Sequence, residues 1–253
     1  MKSIITPIQI KKSIAKINCD EEQGTGFLIA ESLIITALHV VADSSKITIK
    51  LSDNKEVLGK LISKDENFDI ALIEIEEKYN EFLPLQSRTI RFNENWETNG
   101  FPYYGQANDL RLFGNVNQIK IEERSDFILS SDEIETDFDY SGFSGAPVIF
   151  SDKVGGIILQ QEDDKLLAIS ISKIKEYLLD NNIEVEEEIN VLDIPKEFEE
   201  DIKSSTPNYE NHDSLDKIIQ SLKKWFLFSG SPGSGKTISI ASYLPEAENI
   251  EIV

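Results

Sequence analysis

The stretch Gly142-Phe143-Ser144-Gly145-Ala146-Pro147 decides how this chain is read. A serine between glycines marks a tight turn, and the apolar residues from Ala146 to Phe150 read as a strand leaving it. A hydroxyl presented in this way becomes a nucleophile only when a base stands ready to take its proton. The chain has two histidines. His212 lies beside an acidic, polar stretch and reads as a surface residue. That leaves His39, in Thr36-Ala37-Leu38-His39-Val40. Between His39 and Ser144 lies Phe68-Asp69-Ile70-Ala71-Leu72, an acid leading into an apolar run. Alone, each residue has an ordinary reading as a turn serine, a core-edge histidine or a strand-start acid. Together they supply a nucleophile, a base and an orienting carboxylate.

Outward from these segments, the chain from about Ile14 to Ser170 reads as many short strands broken by polar turns. Gly26 to Ala30 and Leu33 to Thr36 flank Glu31-Ser32 as a hairpin. Lys46 to Leu51 alternates strictly, as a half-buried strand does. Phe68 to Ile75, Arg111 to Val116, Phe127 to Leu129, Ala146 to Phe150, Gly155 to Leu159 and Leu166 to Ile171 continue the series. No long helix intervenes, so the pattern predicts an all-β barrel or sandwich. Leu83 to Glu94 reads as the crossing between two halves, with His39 and Asp69 in the first and Ser144 in the second. Apolar residues at helical spacing predict a closing helix over Ile171 to Asp180. This first domain is expected to span residues 1–180. Residues 181–210 turn acidic, with Glu186-Glu187-Glu188 and Glu197 to Asp201, and read as a solvated linker.

In the expected chemistry, Ser144 attacks a carbonyl carbon while His39 accepts and then returns the proton. Asp69 holds the imidazole tautomer and stabilises its cation. Gly142 and Ser144 are expected to aim their N–H groups at an oxyanion, each such donor being worth about 3–4 kcal/mol of transition-state stabilisation. The order His, Asp, Ser is that of chymotrypsin-type proteases, not of subtilisin or α/β-hydrolase enzymes.

The first ~180 residues resemble a trypsin-like protease domain of the HtrA style. The matching segments are Gly24-Thr25-Gly26-Phe27-Leu28-Ile29, Ile35-Thr36-Ala37-Leu38-His39-Val40, Asp69-Ile70-Ala71-Leu72, Asn99-Gly100-Phe101-Pro102 and the Ser144 stretch. Gly155-Gly156-Ile157-Ile158 and Ala168-Ile169-Ser170-Ile171 extend them. The resemblance implies two six-stranded β-barrels with the site in the cleft between them, and a protein or peptide substrate. Phe138, six residues before the nucleophile, would floor the primary pocket, and Leu159, Gln160 and Gln161 would wall it. That lining favours a small or apolar side chain before the scissile bond. Phe143 departs from secreted trypsins, which carry an aspartate there that pairs with a freed N-terminus. HtrA-like proteases also lack that aspartate and switch by ordering loops. Ser131 to Ser141 is therefore expected to be a mobile activation loop. An inert trypsin-fold binding module and a constitutive quality-control protease are the alternatives.

Composition narrows the partners. A formal net charge of −21 argues against binding to nucleic acid or anionic lipid. No apolar stretch approaches the roughly 20 residues a membrane helix needs, and no signal-peptide pattern follows Met1. Cys19 is the only cysteine, so no intrachain disulfide forms, and a cytoplasmic location is expected.

Residues 211–253 change character. After the apolar run Trp225 to Phe228 comes Gly230-Ser231-Pro232-Gly233-Ser234-Gly235-Lys236-Thr237, a full G-x-x-x-x-G-K-[ST] match. Gly230, Gly233 and Gly235 would free the backbone to cradle phosphates, Lys236 would reach the terminal phosphates of ATP, and Thr237 would ligate Mg²⁺. Only sixteen residues follow Thr237, too few for the remaining strands and the acidic metal-holding residue of an NTPase. The chain is thus expected to be all-β with an incomplete P-loop α/β segment, and to be a piece of a longer protein. Proteolysis needs no cofactor, while ATP and Mg belong to the complete NTPase. A protease followed by a P-loop resembles STAND-type NTPases with N-terminal effectors, several of them antiviral. That layout implies homo-oligomerisation and clustered protease domains.

Overall fold

The computed structural model describes residues 5–188, apart from 21, 43, 53–54, 104–108, 120–123 and 135–138. Phe138, the P-loop and the linker beyond residue 188 lie outside the described residues.

Helix α1 (Pro7–Ser13) opens this unit, with Pro7 in its first turn and the Thr6 hydroxyl accepting from the Gln9 N–H at 3.2 Å. The next six strands are β1 (Ile14–Cys19), β2 (Glu22–Ala30), β3 (Leu33–Ala37), β4 (Ile47–Lys50), β5 (Glu56–Asp65) and β6 (Ile70–Ile75). They close into a barrel in the order β1-β2-β3-β6-β5-β4. After the short β7 (Gln86–Ser87) come β8 (Asn95–Gly100), β9 (Leu110–Ile119), β10 (Phe127–Ser130), β11 (Pro147–Phe150), β12 (Lys153–Glu162) and β13 (Lys165–Ser170). These close a second barrel in the order β10-β13-β12-β11-β8-β9. The all-β expectation of two six-stranded barrels therefore holds for the described residues. No helix among them is long and apolar enough to cross a membrane.

Closing so few strands demands sharp bending, and irregular register supplies it in both barrels. The pairing shifts between Leu28 and Ala30 in β2, between Leu61 and Ser63 in β5, and between Ile158 and Gln160 in β12. The last shift leaves Leu159 without a partner on β13, which matters for the site.

Two apolar clusters form the core among the described residues. The first holds Phe27, Ile34, Ile35, Ile49, Leu72 and their neighbours, and it continues through Ile157, Leu159 and Ile169 of the second barrel. The second holds Trp96, Leu112, Phe127, Phe143, Phe150 and Ile158. β12 thus alternates between the two, with Ile158 in one core and Ile157 and Leu159 in the other, so a single strand welds the barrels together.

The closing helix α2 spans Lys175–Asp180, starting later than the apolar spacing predicts. The packed unit also continues beyond residue 180, which corrects the reading of residues 181–188 as solvated linker. Ile183 is buried, and β14 (Glu186–Glu187) pairs in parallel with β7. Each glutamate of the 186–188 run meets a base. Glu186 bonds Lys153 at 2.8 Å, Glu187 bonds Lys175, and Glu188 bonds Arg91 at 2.9 Å beside Arg88. Burial opposes ionisation of Glu188. The Arg91 hydrogen bond, the Thr89 N–H and the two arginine charges outweigh it and hold the carboxyl below the usual range.

Candidate active site

His39 sits in a single 3₁₀ turn, Leu38–Val40, that follows β3. Leu38 and Val40 are buried and fix the turn, so the imidazole between them faces outward, with 49% of its side chain exposed. Asp69 is the turn residue immediately before β6, the strand beside β3. Its backbone is left-handed, φ 57°, a conformation that aspartate tolerates better than most residues. Three hydrogen bonds hold it there. The Leu38 N–H donates to the Asp69 carbonyl at 2.8 Å, and the His39 N–H donates to Asp69 Oδ1 at 2.9 Å. His39 Nδ1 lies 2.6 Å from Asp69 Oδ2. The carboxylate thus grips both the backbone and the ring of the same histidine, which fixes the proton on Nδ1 and turns Nε2 towards the cleft as an acceptor.

Ser144 follows a second 3₁₀ turn, Ser141–Phe143, and precedes β11. Two glycines are obligatory here. A Cβ on Gly142 would stand 2.0 Å from the Phe101 carbonyl oxygen. Gly145 has φ +88°, and a Cβ there would meet the Thr25 carbonyl oxygen at 2.0 Å. Phe143 is fully buried, packed on Tyr140 with ring centroids 5.9 Å apart. The position that carries an acid in secreted trypsins is here an apolar plug in the second barrel.

His39, Asp69 and Ser144 line one cleft of ≈ 600 Å³. Leu159, Gln160 and Gln161, expected as pocket wall, line it too, and so do Arg124, Asp139, Ser141 and Asp163. Asp139 and Ser141 belong to the segment expected as an activation loop, whereas Arg124 and Asp163 were not found by sequence reasoning, because they come from loops with no motif of their own. Gln161 is braced from both ends. Its Oε1 accepts from the Tyr140 N–H at 2.7 Å, and its Nε2 donates to the Asp163 carbonyl at 2.9 Å.

The nucleophile side differs from expectation in two contacts. The Ser144 hydroxyl donates to the Leu159 carbonyl at 2.9 Å, and that carbonyl is free because of the β12 bulge. The Ser144 N–H, expected to face an oxyanion, instead donates to the Ser141 carbonyl at 3.1 Å. The 3₁₀ turn closes on itself and uses up this donor.

A family model described as a trypsin-like peptidase domain matches residues 24–157, which include His39, Asp69 and Ser144. Among curated proteins, a probable periplasmic serine endoprotease, DegP-like, of Rickettsia prowazekii is 35% identical over 113 residues, covering 44% of this chain and 18% of its own length. Its counterpart in Rickettsia conorii is 38% identical over 90 residues, covering 35% and 14%. The chain therefore spans less than a fifth of these relatives' length. Among solved structures, the Rv3671c protease of M. tuberculosis in its active form aligns with a TM-score of 0.59 at 19% identity, over 68% of this chain and 82% of that one. The serine endoprotease from Yersinia pestis aligns with a TM-score of 0.57 at 16% identity, over 72% and 70%. These two likenesses speak to fold alone.

The relatives' names correct the cytoplasmic location expected from the cysteine count, since both are named as probable periplasmic proteins. The inference failed because two well-filled barrel cores do not need a disulfide in any compartment. Cys19 itself is buried in the first barrel, and that burial pushes its thiol up.

Proposed function

The chain belongs to the trypsin-like peptidase family and carries a serine endopeptidase domain, and from that premise we propose that Ser144, His39 and Asp69 act as its nucleophile, general base and orienting acid. The observation that carries this reading is the Asp69 carboxylate at 2.6 Å from His39 Nδ1, in the cleft that Ser144 also lines. In the reaction, Ser144 Oγ bonds to the scissile carbonyl carbon as its proton passes to His39 Nε2. The tetrahedral oxyanion collapses, and His39 returns the proton to the leaving amine. Water, deprotonated by His39, then releases the acyl group from Ser144.

The geometry described is a resting one. Before attack, the Ser144 hydroxyl must turn from the Leu159 carbonyl to His39, and the Ser141 carbonyl must release the Ser144 N–H. Gly142 and Ser144 then serve as the oxyanion donors. A fluorophosphonate probe tests the assignment. Covalent labelling that disappears in Ser144→Ala supports it, and labelling that persists there overturns it. A second reading, an inert trypsin-fold binding module, is favoured by the Ser144 hydroxyl bonding away from the imidazole. Absence of labelling under oligomerising conditions would favour that reading over the first.

Regulation is proposed from sequence. Gly230, Gly233, Gly235, Lys236 and Thr237, outside the described residues, support coupling of the protease to ATP and Mg in a STAND-type NTPase that self-associates. Labelling rates of the complete protein with and without ATP and Mg²⁺, compared with Lys236→Ala, test this. A nucleotide response that survives the substitution would overturn it.

A further inference from the structure

Thr25 belongs to β2 in the first barrel, yet it is fully buried against the loop that carries Ser144 in the second. Its hydroxyl donates to the Gly142 carbonyl at 2.7 Å and accepts from the Phe101 N–H at 2.9 Å. Its backbone N–H donates to the Ser144 carbonyl at 2.9 Å. Its own carbonyl accepts from the Thr36 hydroxyl at 2.7 Å, which holds Thr25 against β3, the strand leading to the His39 turn. Apart from the half-buried Phe101 N–H, these groups are buried, so each bond lost among them leaves a polar group without a partner.

We propose that Thr25 is a positioning residue that fixes the nucleophile loop of one barrel to the base-bearing barrel and serves as the stationary end about which the oxyanion donors are set. The proposal rests on the assignment of Ser144 as nucleophile. Thr25 bonds the carbonyls of Gly142 and Ser144, and these belong to the peptide units on either side of the Phe143–Ser144 unit. That unit carries the Ser144 N–H. With both neighbours held, it cannot travel when the turn opens. The Ser141–Gly142 peptide has no bond to Thr25 and is the unit left to rotate, withdrawing the Ser141 carbonyl from the Ser144 N–H. A single hydroxyl therefore separates the part of the loop that must stay from the part that must move. Val40 and Gly24 tighten this arrangement, because a Cβ on Gly24 would lie 2.6 Å from the Val40 methyls and 3.1 Å from the Ser144 carbonyl oxygen.

The test compares Thr25→Val, Thr25→Ala, Thr25→Ser and Ser144→Ala in the full chain. It reads the fluorophosphonate labelling rate, kcat and KM on a peptide that the wild type cleaves, and the thermal midpoint. A displacement of about 1 Å in a reacting group typically costs on the order of 100-fold. Thr25→Val is expected to lose that much in labelling rate and kcat with KM little changed, while Thr25→Ser stays within a few-fold of wild type. Should the valine variant not fold, Thr25→Ala, which removes the same hydroxyl without a second methyl beside the Gly142 carbonyl, decides the question. Wild-type rates in the folded hydroxyl-free variants overturn the proposal and leave the Ser144 assignment intact. Equal loss in Thr25→Ser, or a kcat deficit that tracks the fall in thermal midpoint, reduces Thr25 to a packing residue and also overturns it. Labelling that survives Ser144→Ala overturns the assignment, and the proposal with it.

Discussion

The two sides of the cleft are built to different degrees of readiness. On the first-barrel side, Asp69 grips the backbone and the ring of His39 together, and buried Leu38 and Val40 clamp the turn. On the second-barrel side, the Ser144 hydroxyl and N–H are both committed to carbonyls within the protein. In the proposed mechanism, the base is therefore set before substrate arrives and the nucleophile is not. Such an asymmetry places control of the reaction in a short turn, where a rotation of one peptide changes the state, and leaves the costly charge arrangement undisturbed.

The sharpest way to break this comparison is to remove its ends. Ser144→Ala is expected to lower peptide hydrolysis by on the order of a million-fold, with only the small fall in thermal midpoint that loss of the hydroxyl's bond to the Leu159 carbonyl brings. Asp69→Asn keeps the shape of the base side but forces the wrong imidazole tautomer, so hydrolysis should fall about ten-thousand-fold at constant KM. Phe143→Ala attacks the plug beneath the nucleophile. Loss of a fully buried phenyl ring should cost about 3–5 kcal/mol in denaturant unfolding. Asp139→Ala sharpens the contrast from the other direction. Asp139 Oδ1 accepts from the Ser141 N–H at 2.8 Å and so steadies the closed turn. Its removal should raise the labelling rate by roughly a few-fold, the share of a partly exposed charged hydrogen bond. A fall instead would mean that Asp139 supports the open turn.

The smallest effect concerns acid. Glu188 has a depressed carboxyl pKa, so its contribution to stability is complete above the ordinary glutamate range and is lost as pH falls through its lower folded value. Asp126 has the opposite sign. Burial raises its carboxyl despite two hydrogen bonds from Ser170, so protonation there relieves the fold. Thermal midpoints measured from about pH 7 to about pH 3 should therefore show a shallower acid decline in Glu188→Gln than in the wild type, with a lower starting value at neutral pH.

The sequence announced its site more clearly than its frame. Ser144, His39 and Asp69 were legible because each stands in a short segment whose neighbours serve it: glycines that permit a turn, and apolar residues that bury around an exposed side chain. β5 was not legible. Its burial alternates along Glu56–Asp65, but apolar Leu58 and Ile62 stand on the exposed face and blur the pattern in the sequence. β8 hides behind buried polar residues such as Thr98 and Asn99. Glu186 and Glu187 do face solvent, but Glu188 is largely covered, and its partners are far away in the chain. Arg91 lies 97 residues from Glu188, and no local pattern connects them. The contact of the Ser144 hydroxyl with the Leu159 carbonyl was likewise invisible, since it depends on a bulge in β12 that only strand pairing reveals.

The three glutamates have one further consequence. The packed unit ends at Glu188, fastened by ion pairs to Arg91 and Arg88 in the segment that joins the two barrels, beside the pairing of β14 with β7. Traction applied from downstream is thus delivered to the joint between the halves of the protease, by way of a latch that salt or acid can loosen.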